Sequence, residues 1–600
     1  MASPLINRRD LDFVLYELLD VLALTVEPRW AEHRRETFDA AIDTAHDLAV
    51  THFRSHNAKG DRQEPSFDGE RVHVIPEVKV ALDAYVAAGF MAASKDYDLG
   101  GMQLPWTVAQ ACSAMFQAAN VGTAAYPFLT IAAANLIEAF GSAEMRQRFM
   151  RPMLDGRFFG TMCLSEPQAG SSLADIRTRA EPAGEGVYRL FGNKMWISGG
   201  DHELSDNIVH LVLAKIPGGG AGVKGISLFV VPKLLVDDDG RLGARNDVRL
   251  AGVNHKMGYR GAINTVLNFG EKDGAVGYLV GEPHRGLAYM FQMMNEARIG
   301  VGAGAVMLAY TAYLAALEYA RVRPQGRPVE AKDPSQPMVP IVEHADVKRM
   351  LLYQKAVSEG GLHLCLYAAW LVDRQHATTD TTERRDLTLL LDTLTPIVKG
   401  WLSEACLRAN ELAVQVLGGY GYTREYPVEQ HYRDQRLNPI HEGTDGIQAL
   451  DLLGRKMTMQ GGAGWALLHD AIAAAIMRAR AHDDLVPLAA QLDAALLTLA
   501  RVRDRLLETM AGGRIPLALA NASHFLDLAG LVVFGWMWLW QATVIASAPP
   551  TDDAEMASFR AGKLQACRYA FTYELARVPY LASLLESLDD TTLGMRSEWF

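Results

Sequence analysis

The chain has 600 residues, 49% hydrophobic and 21% charged, which is ordinary for a globular protein and too long for a single hydrophobic core. Its net charge of −12 at pH 7 argues against a nucleic-acid partner, which would call for a basic face. Five scattered cysteines (Cys112, Cys163, Cys365, Cys406 and Cys567) form no CxxC pair, so neither a disulfide framework nor a metal site is expected.

The start carries Arg8, Arg9 and Asp10 with no apolar run behind a basic stretch, so no secretory signal is read and the expected location is cytoplasmic. Leu11, Leu15, Leu18 and Leu22 recur at helical spacing, and Ala-rich periodic runs follow at 78–93 and 106–140. Residues 57–76 and 96–101 read as loops. From about Phe158 the texture changes. Val187–Phe191, Ile208–Ala214, Ile226–Val231 and Ile263–Phe269 are short, β-branched or aromatic, and divided by glycines, which predicts a small barrel or sandwich. Helical periodicity returns near Arg285 and runs to about Met459, broken by a Pro-rich loop at 324–340. After Gly461-Gly462 a further helical block fills 465–600.

Two stretches imitate other classes. Gly300-Val-Gly302-Ala-Gly304 matches a loose dinucleotide fingerprint but has no βαβ unit around it, so helix–helix packing is the better reading. Leu528–Thr551 is uncharged and long enough to cross a bilayer. It is interrupted by Gly530, Gly535, Gln541 and Thr543, and as the one run of its kind it is read as a buried core helix.

Residues 438–448, Asn-Pro-Ile-His-Glu-Gly-Thr-Asp-Gly-Ile-Gln, place Glu442 on a turn just before a helix, with Thr444 or Asp445 as N-cap. A carboxylate there can project into a cavity, or simply complement the helix dipole. Upstream, Ser165 and Ser171 flank the Pro-Gln-Ala-Gly turn of 162–175. Gly192-Asn-Lys-Met-Trp196-Ile197-Ser198 puts an indole and a hydroxyl at a strand end. Taken alone, Trp196 reads most simply as a core tryptophan.

In combination these segments resemble the acyl-CoA dehydrogenases. His441-Glu442-Gly443-Thr444-Asp445-Gly446-Ile447-Gln448 is similar to the family's catalytic-base motif. The 162–175 stretch is similar to its Thr-Glu-Pro-x-Ala-Gly-Ser signature, and 192–198 to Gly-x-Lys-x-Trp-Ile-Thr, with Ser165 and Ser198 in place of threonines. Asn295-Glu-Ala-Arg298 resembles the helix start that contacts CoA, with Asn295 where aspartate is common. Arg323-Pro-Gln325 resembles the loop that reaches the neighbouring subunit's FAD, without its usual phenylalanine. Gln415-Val-Leu-Gly418-Gly419-Tyr420-Gly421 resembles the segment that contacts the partner's adenosine, and Arg433-Asp434 a structural pair. The order of these matches, from Met162 to Gln448, carries the identification.

The resemblance implies an α+β multi-domain fold, mainly α. Its parts are an N-terminal helical domain at 1–160, a middle β domain at 161–282, and a C-terminal four-helix bundle with the base at 283–459, followed by a helical extension at 460–600. It implies FAD held by Met162, Cys163, Ser165, Ser171, Trp196, Ile197, Ser198, Arg323, Gln325, Gln415, Gly418, Gly419, Thr444 and Gly446. It implies acyl-CoA held by Ser171, Asn295, Arg298, Glu442 and Gly443. Glu442 would take the α-proton, the β-hydride would pass to flavin N5, and an electron-transfer flavoprotein would reoxidise the flavin. An acyl-CoA oxidase using O₂, or a non-catalytic flavin protein on the same fold, are the alternatives. The extension resembles the subgroup with very-long-chain and 3-methylmercaptopropionyl-CoA dehydrogenases. It carries about 11 Lys and Arg against about 15 Asp and Glu, unlike a DNA-associated relative. It is expected to fold over the face that would dock a second dimer, leaving a homodimer not associated with a membrane.

Overall fold

The structure, a computed structural model, describes residues 3–330 and 333–600. Residues 331 and 332, in the Pro-rich loop expected at 324–340, lie outside the described residues. The chain divides into two compact units, one of His33–Gly300 and one of Met1–Glu32 with Val301–Phe600.

The His33–Gly300 unit begins with α1 (Arg35–Leu48), α2 (Pro76–Ala87), α3 (Trp106–Ala119) and α4 (Val121–Phe140). Pro76 opens α2, where its missing N–H costs no hydrogen bond, and Gly89 (φ 78°) turns the chain just past its end. The apolar run at 106–140 is two helices rather than one. Asn120 is extended, and its side chain accepts the Thr123 N–H at 3.0 Å to cap α4. The loop expected at 57–76 is not structureless. It contains the short helix Asn57–Arg62 and a hairpin pairing Ser66–Phe67 with Val72–His73.

Eight strands follow: β1 (Phe158–Cys163), β2 (Arg179–Gly184), β3 (Val187–Ser198), β4 (Asn207–Lys215), β5 (Ile226–Pro232), β6 (Val248–Val253), β7 (Asn264–Phe269) and β8 (Ala275–Leu279). They form one sheet in the order β6-β7-β3-β8-β5-β4-β1. β2 pairs antiparallel with β3 and meets β4 at Arg179–Lys215, so β3, β8, β5, β4 and β2 close a ring. The barrel expectation holds over the sandwich. β4 and β5 are buried at almost every position, which is why they read as continuous apolar runs. The core joins Ala133, Leu136 and Ile137 of α4 to Phe158, Leu211 and Leu228. Gly160 lets α4 lie directly on β1, since a Cβ there would come 2.6 Å from that of Ala133.

In the other unit, residues 301–322 of α5 (Gly286–Val322) pack with α6 (Ala345–Ala377), and α7 (Thr381–Pro396), itself against α6, runs through a π-helical segment into α8 (Leu402–Leu417), which joins the core of α5 and α6. α9 (Val428–Gln435) and α10 (Asp445–Asp451) complete this bundle. Gly461 and Gly462 (φ 69° and 87°) lead into α11 (Ala463–Ala479), α12 (Val486–Ala511), α13 (Ala522–Ser547), α14 (Ala554–Tyr569) and α15 (Val578–Glu586). The glycines of α5 serve packing. A Cβ at Gly300 would overlap the Phe128 ring, and one at Gly302 the Val398 carbonyl.

α13 carries most of the uncharged run, and 89% of its most apolar stretch is buried inside the chain, against α6, α10, α11, α12, α14 and α15. It is not the one run of its kind: Val121–Phe140, Gly286–Val322 and Asp483–Ala511 are also long and apolar enough to cross a membrane.

Leu11, Leu15 and Leu18 share the continuous helical stretch 8–18, and Asp20 (φ 45°) breaks the path before Leu22. Phe13 meets Phe559 edge-on at 5.5 Å. Buried Asp10 accepts the Tyr310 hydroxyl at 2.9 Å and pairs with Lys563 of α14, which also pairs with Glu359 of α6 at 2.8 Å. Burial pushes the Asp10 carboxyl up, with Lys563 acting against it. Burial also opposes charge on Glu359, but Lys355 and Lys563 outweigh it and hold that carboxyl below its ordinary value. Lys563→Met would leave the buried Asp10 carboxyl without its paired cation, while Glu359 keeps Lys355. It should lower the unfolding free energy at pH 7 by about 3–5 kcal/mol in denaturant titrations. The loss should shrink as pH falls and the Asp10 carboxyl takes up a proton.

Candidate active site

Glu442 sits in the turn leading into α10, half-buried, with φ at 55°; Gly443 follows at φ 86°. A left-handed backbone at a residue other than glycine costs about 1 kcal/mol or more and persists only where its surroundings impose it. Gln448 Nε2 donates to the Glu442 carbonyl at 3.0 Å, and Lys399 Nζ donates to the Gly443 carbonyl at 2.6 Å while pairing with Asp445 Oδ1 at 3.1 Å. Thr444 is the N-cap, accepting the Ile447 N–H at 3.3 Å. A Cβ at Gly443 would come 2.7 Å from Gln448 Nε2, so this position requires glycine, whereas Gly446 is exposed with ample room. Burial pushes the Asp445 carboxyl up to about 7 against the pull of Lys399. Burial also lowers His441 to about 4, so its ring is neutral at pH 7. Sequence reasoning missed Lys399, whose one signal is a lone charge inside the apolar stretch Ile397–Leu402.

In the His33–Gly300 unit, the 162–175 and 192–198 stretches are bound together by an ion pair that sequence reasoning also missed. Lys194 and Glu166 are both buried, with Nζ to Oε1 at 3.0 Å, and Lys194 also donates to the Leu164 carbonyl at 2.9 Å. Glu166 accepts the Arg177 and Thr178 N–H groups at 2.6 and 3.0 Å and the Thr178 hydroxyl at 2.6 Å. The Met195 N–H donates to the Ser165 carbonyl at 3.0 Å, setting Ser165 beside Trp196. Trp196 is not a core tryptophan: it is 59% exposed and holds φ at 66°. Ser165 and Ser198 are half-buried, Ser171 is exposed, and Met162 is half-buried against the core. Cys163 and Ile197 point into the core, so only their main chains are free to meet a ligand. An exposed indole on a strained strand end, with hydroxyls beside it, suits a planar, polar-edged ring such as a flavin.

Of the expected CoA contacts, Asn295 is half-buried and Arg298 is 3% exposed on α5. Close by in sequence, Glu296 faces a cavity of about 60 Å³ walled by Phe90, Trp106, Phe116 and Phe128. Asn135 Nδ2 donates to it at 2.7 Å, and burial pushes its carboxyl up to about 7. In the other unit the structure gathers Arg323 and the 415–421 segment. The Arg323 guanidinium lies 5.5 Å over the Tyr420 ring, and Gln325, Gln415, Gly418 and Gly419 are exposed around them. Arg433 pairs with Glu429 at 2.7 Å, and Asp434 is buried.

The Glu166–Lys194 pair yields a stability prediction. Burial opposes charge on Glu166, but Lys194 and the Thr178 and Arg177 donors outweigh it and depress the carboxyl to about 2. Its stabilisation is therefore present above the unfolded value, near 4.3, and is lost as pH falls toward 2. Lys194→Met should cost about 3–5 kcal/mol at pH 7 in denaturant unfolding, with the deficit narrowing below pH 4.

Comparisons with known proteins cover nearly the whole chain. Acyl-CoA dehydrogenase N-terminal, middle and C-terminal domains match residues 35–157, 161–271 and 284–458, and an acetyl-CoA dehydrogenase C-terminal-like domain matches 466–596. The chain is 40% identical over 482 residues to the 3-methylmercaptopropionyl-CoA dehydrogenase of Ruegeria pomeroyi, covering 80% of each. It is 32% identical over 620 residues to the broad-specificity linear acyl-CoA dehydrogenase FadE5 of Mycobacterium tuberculosis, covering 98% of each. The fold is shared with an FAD-complexed acyl-CoA dehydrogenase from Bacillus anthracis, at a TM-score of 0.70 and 19% identity over 93% of this chain and 91% of that one. Family matches across the helical, β, helical and extension segments, with relatives matched this fully, make the chain a member of the acyl-CoA dehydrogenase family and an oxidoreductase of that activity.

Proposed function

We propose that the chain removes the α-proton and β-hydride of an acyl-CoA thioester to give a trans-2-enoyl-CoA, with Glu442 as the base. The observation that carries this is the held left-handed turn at Glu442, fixed by hydrogen bonds on the carbonyls of Glu442 and Gly443. A thioester α-proton is too weakly acidic for a free carboxylate in water. A positioned, partly desolvated base and donors aimed at the carbonyl oxygen close that gap. The Glu442 amide is the donor this chain contributes to the thioester carbonyl. Ser165, Trp196 and Ser198 would hold the ring of FAD, which when bound accepts the hydride and passes its electrons to an electron-transfer flavoprotein. The thioether substrate named for the Ruegeria pomeroyi relative makes a short, thioether-bearing acyl group the first candidate here.

Glu442→Gln keeps the shape and cannot accept a proton. The purified variant should retain FAD while losing dehydrogenation by more than the roughly 10²–10⁴-fold of ordinary general-base catalysis. Near-normal turnover would refute the assignment. Anaerobic flavin bleaching by acyl-CoAs from short to long, including a thioether, reads the substrate.

Arg323, Gln325, Gln415, Gly418 and Gly419 lie on an exposed patch with Tyr420 and Tyr422, which are 48% and 88% exposed. Their resemblance to segments that reach a partner's cofactor supports a homodimer, with the extension covering the face a second dimer would use. Light scattering on detergent-free holoprotein should give a mass near twice 65.8 kDa. A tetramer would refute the blocking role, and a monomer that retains FAD would refute the shared site.

A further inference from the structure

The last segment of the chain packs against the two segments that hold the catalytic turn, residues 397–401 and α10. Lys399 lies in the π-helical segment Ile397–Trp401 that carries α7 into α8 without a break, and is wholly buried. An ammonium buried this far is sustained only by strong hydrogen bonds. Its partners are the Gly443 carbonyl and Asp445, the two groups that bracket Thr444 immediately after Glu442.

α13 packs against the same π-helical segment. A Cβ at Gly530 would overlap the Trp401 ring, so that indole lies flat against the α13 backbone. Its Nε1 donates to Asp527 at 3.1 Å, and Phe534 packs on it at 5.2 Å. At Gly400, next to Lys399, Leu526 of α13 and Gln448 of α10 each come within 2.9 Å of where a Cβ would sit. Gln448 in turn holds the Glu442 carbonyl. The Lys399 and Gln448 hydrogen bonds onto the left-handed turn therefore both start from segments that α13 packs against.

We infer that Lys399 is a positioning residue through which the C-terminal extension sets the geometry of the catalytic-base turn. The inference rests on Glu442 being the base. Packed contacts of this kind transmit a displacement, and about 1 Å of misplacement at a reacting group can cost about 10²-fold in rate. The extension is thus part of the machinery that aims the carboxylate, in addition to covering apolar surface.

The test uses full-length, FAD-loaded protein and stopped-flow flavin reduction at saturating acyl-CoA, expressed per bound flavin and well below each variant's Tm. Lys399→Met should slow reduction by about 10- to 100-fold while acyl-CoA Kd stays within about threefold. Gly530→Ala, which favours the helix and sets a Cβ against the Trp401 ring, should slow it by a smaller factor in the same pattern. Should Lys399→Met fail to fold, Gly530→Ala decides alone. Wild-type reduction rates in the folded variants, with only Tm or flavin content lowered, would show a purely structural role and overturn the inference. Glu442→Gln is run in parallel. If it is inactive and the other variants reduce normally, the inference alone falls. If it stays active, the base assignment falls and takes the inference with it.

Discussion

An apolar helix has to be covered, and much of the larger unit follows from that requirement. α13 removes Leu526, Phe534, Trp536 and Trp538 from water. At roughly 1.5–3 kcal/mol for each large apolar side chain, its burial is among the strongest driving forces in this part of the chain. To be covered it must lie on the bundle, and Gly530 and Gly535 let neighbouring side chains approach its backbone. Gly530 meets Trp401 and Gly535 meets Leu492 and Leu575. The helical segment that carries Lys399 is therefore held from outside by hydrophobic packing and bonded from inside to the catalytic loop.

Three buried lysines repeat one physical theme. Lys194, Lys399 and Lys563 each sit at 2% exposure or less, and each meets at least one carboxylate together with a neutral acceptor. Such pairs add little net stability over apolar replacements, since desolvation offsets most of their attraction. They do specify geometry, because a misplaced partner leaves a bare charge inside. Here they join segments far apart in sequence: 164–166 to 194, 399 to 443–445, and 10 to 359 and 563. Each therefore fixes a relation between segments that helical or strand propensity alone would leave loose.

Backbone strain is present at both places where the chemistry is assigned. Among the few residues other than glycine with positive φ are Trp196 and Glu442, one at the end of β3 and one before α10. Both are followed by tightly bonded structure: β3 paired to β7 at Ile197 and Ser198, and the capped start of α10. Strain of this kind aims a side chain that relaxed backbone would turn elsewhere.

The order of the elements was legible in the sequence by itself. β-branched runs between glycines marked β3, β4, β5 and β7, and helical periodicity marked the long helices. The His441–Gln448 stretch placed Glu442 on a turn before a helix, because these signals are local. Tertiary structure decided what depends on distant partners. It divided the run at 106–140 at Asn120, put Trp196 on the surface, chose Thr444 as the cap, and turned the side chains of Cys163 and Ile197 into the core. It also found work for Lys194, Lys399 and Lys563, which in sequence are single charges with no pattern around them. Whether a charge can be buried depends on which carboxylate and carbonyl groups the folded chain brings to it, and that is a property of the fold and not of the neighbouring residues.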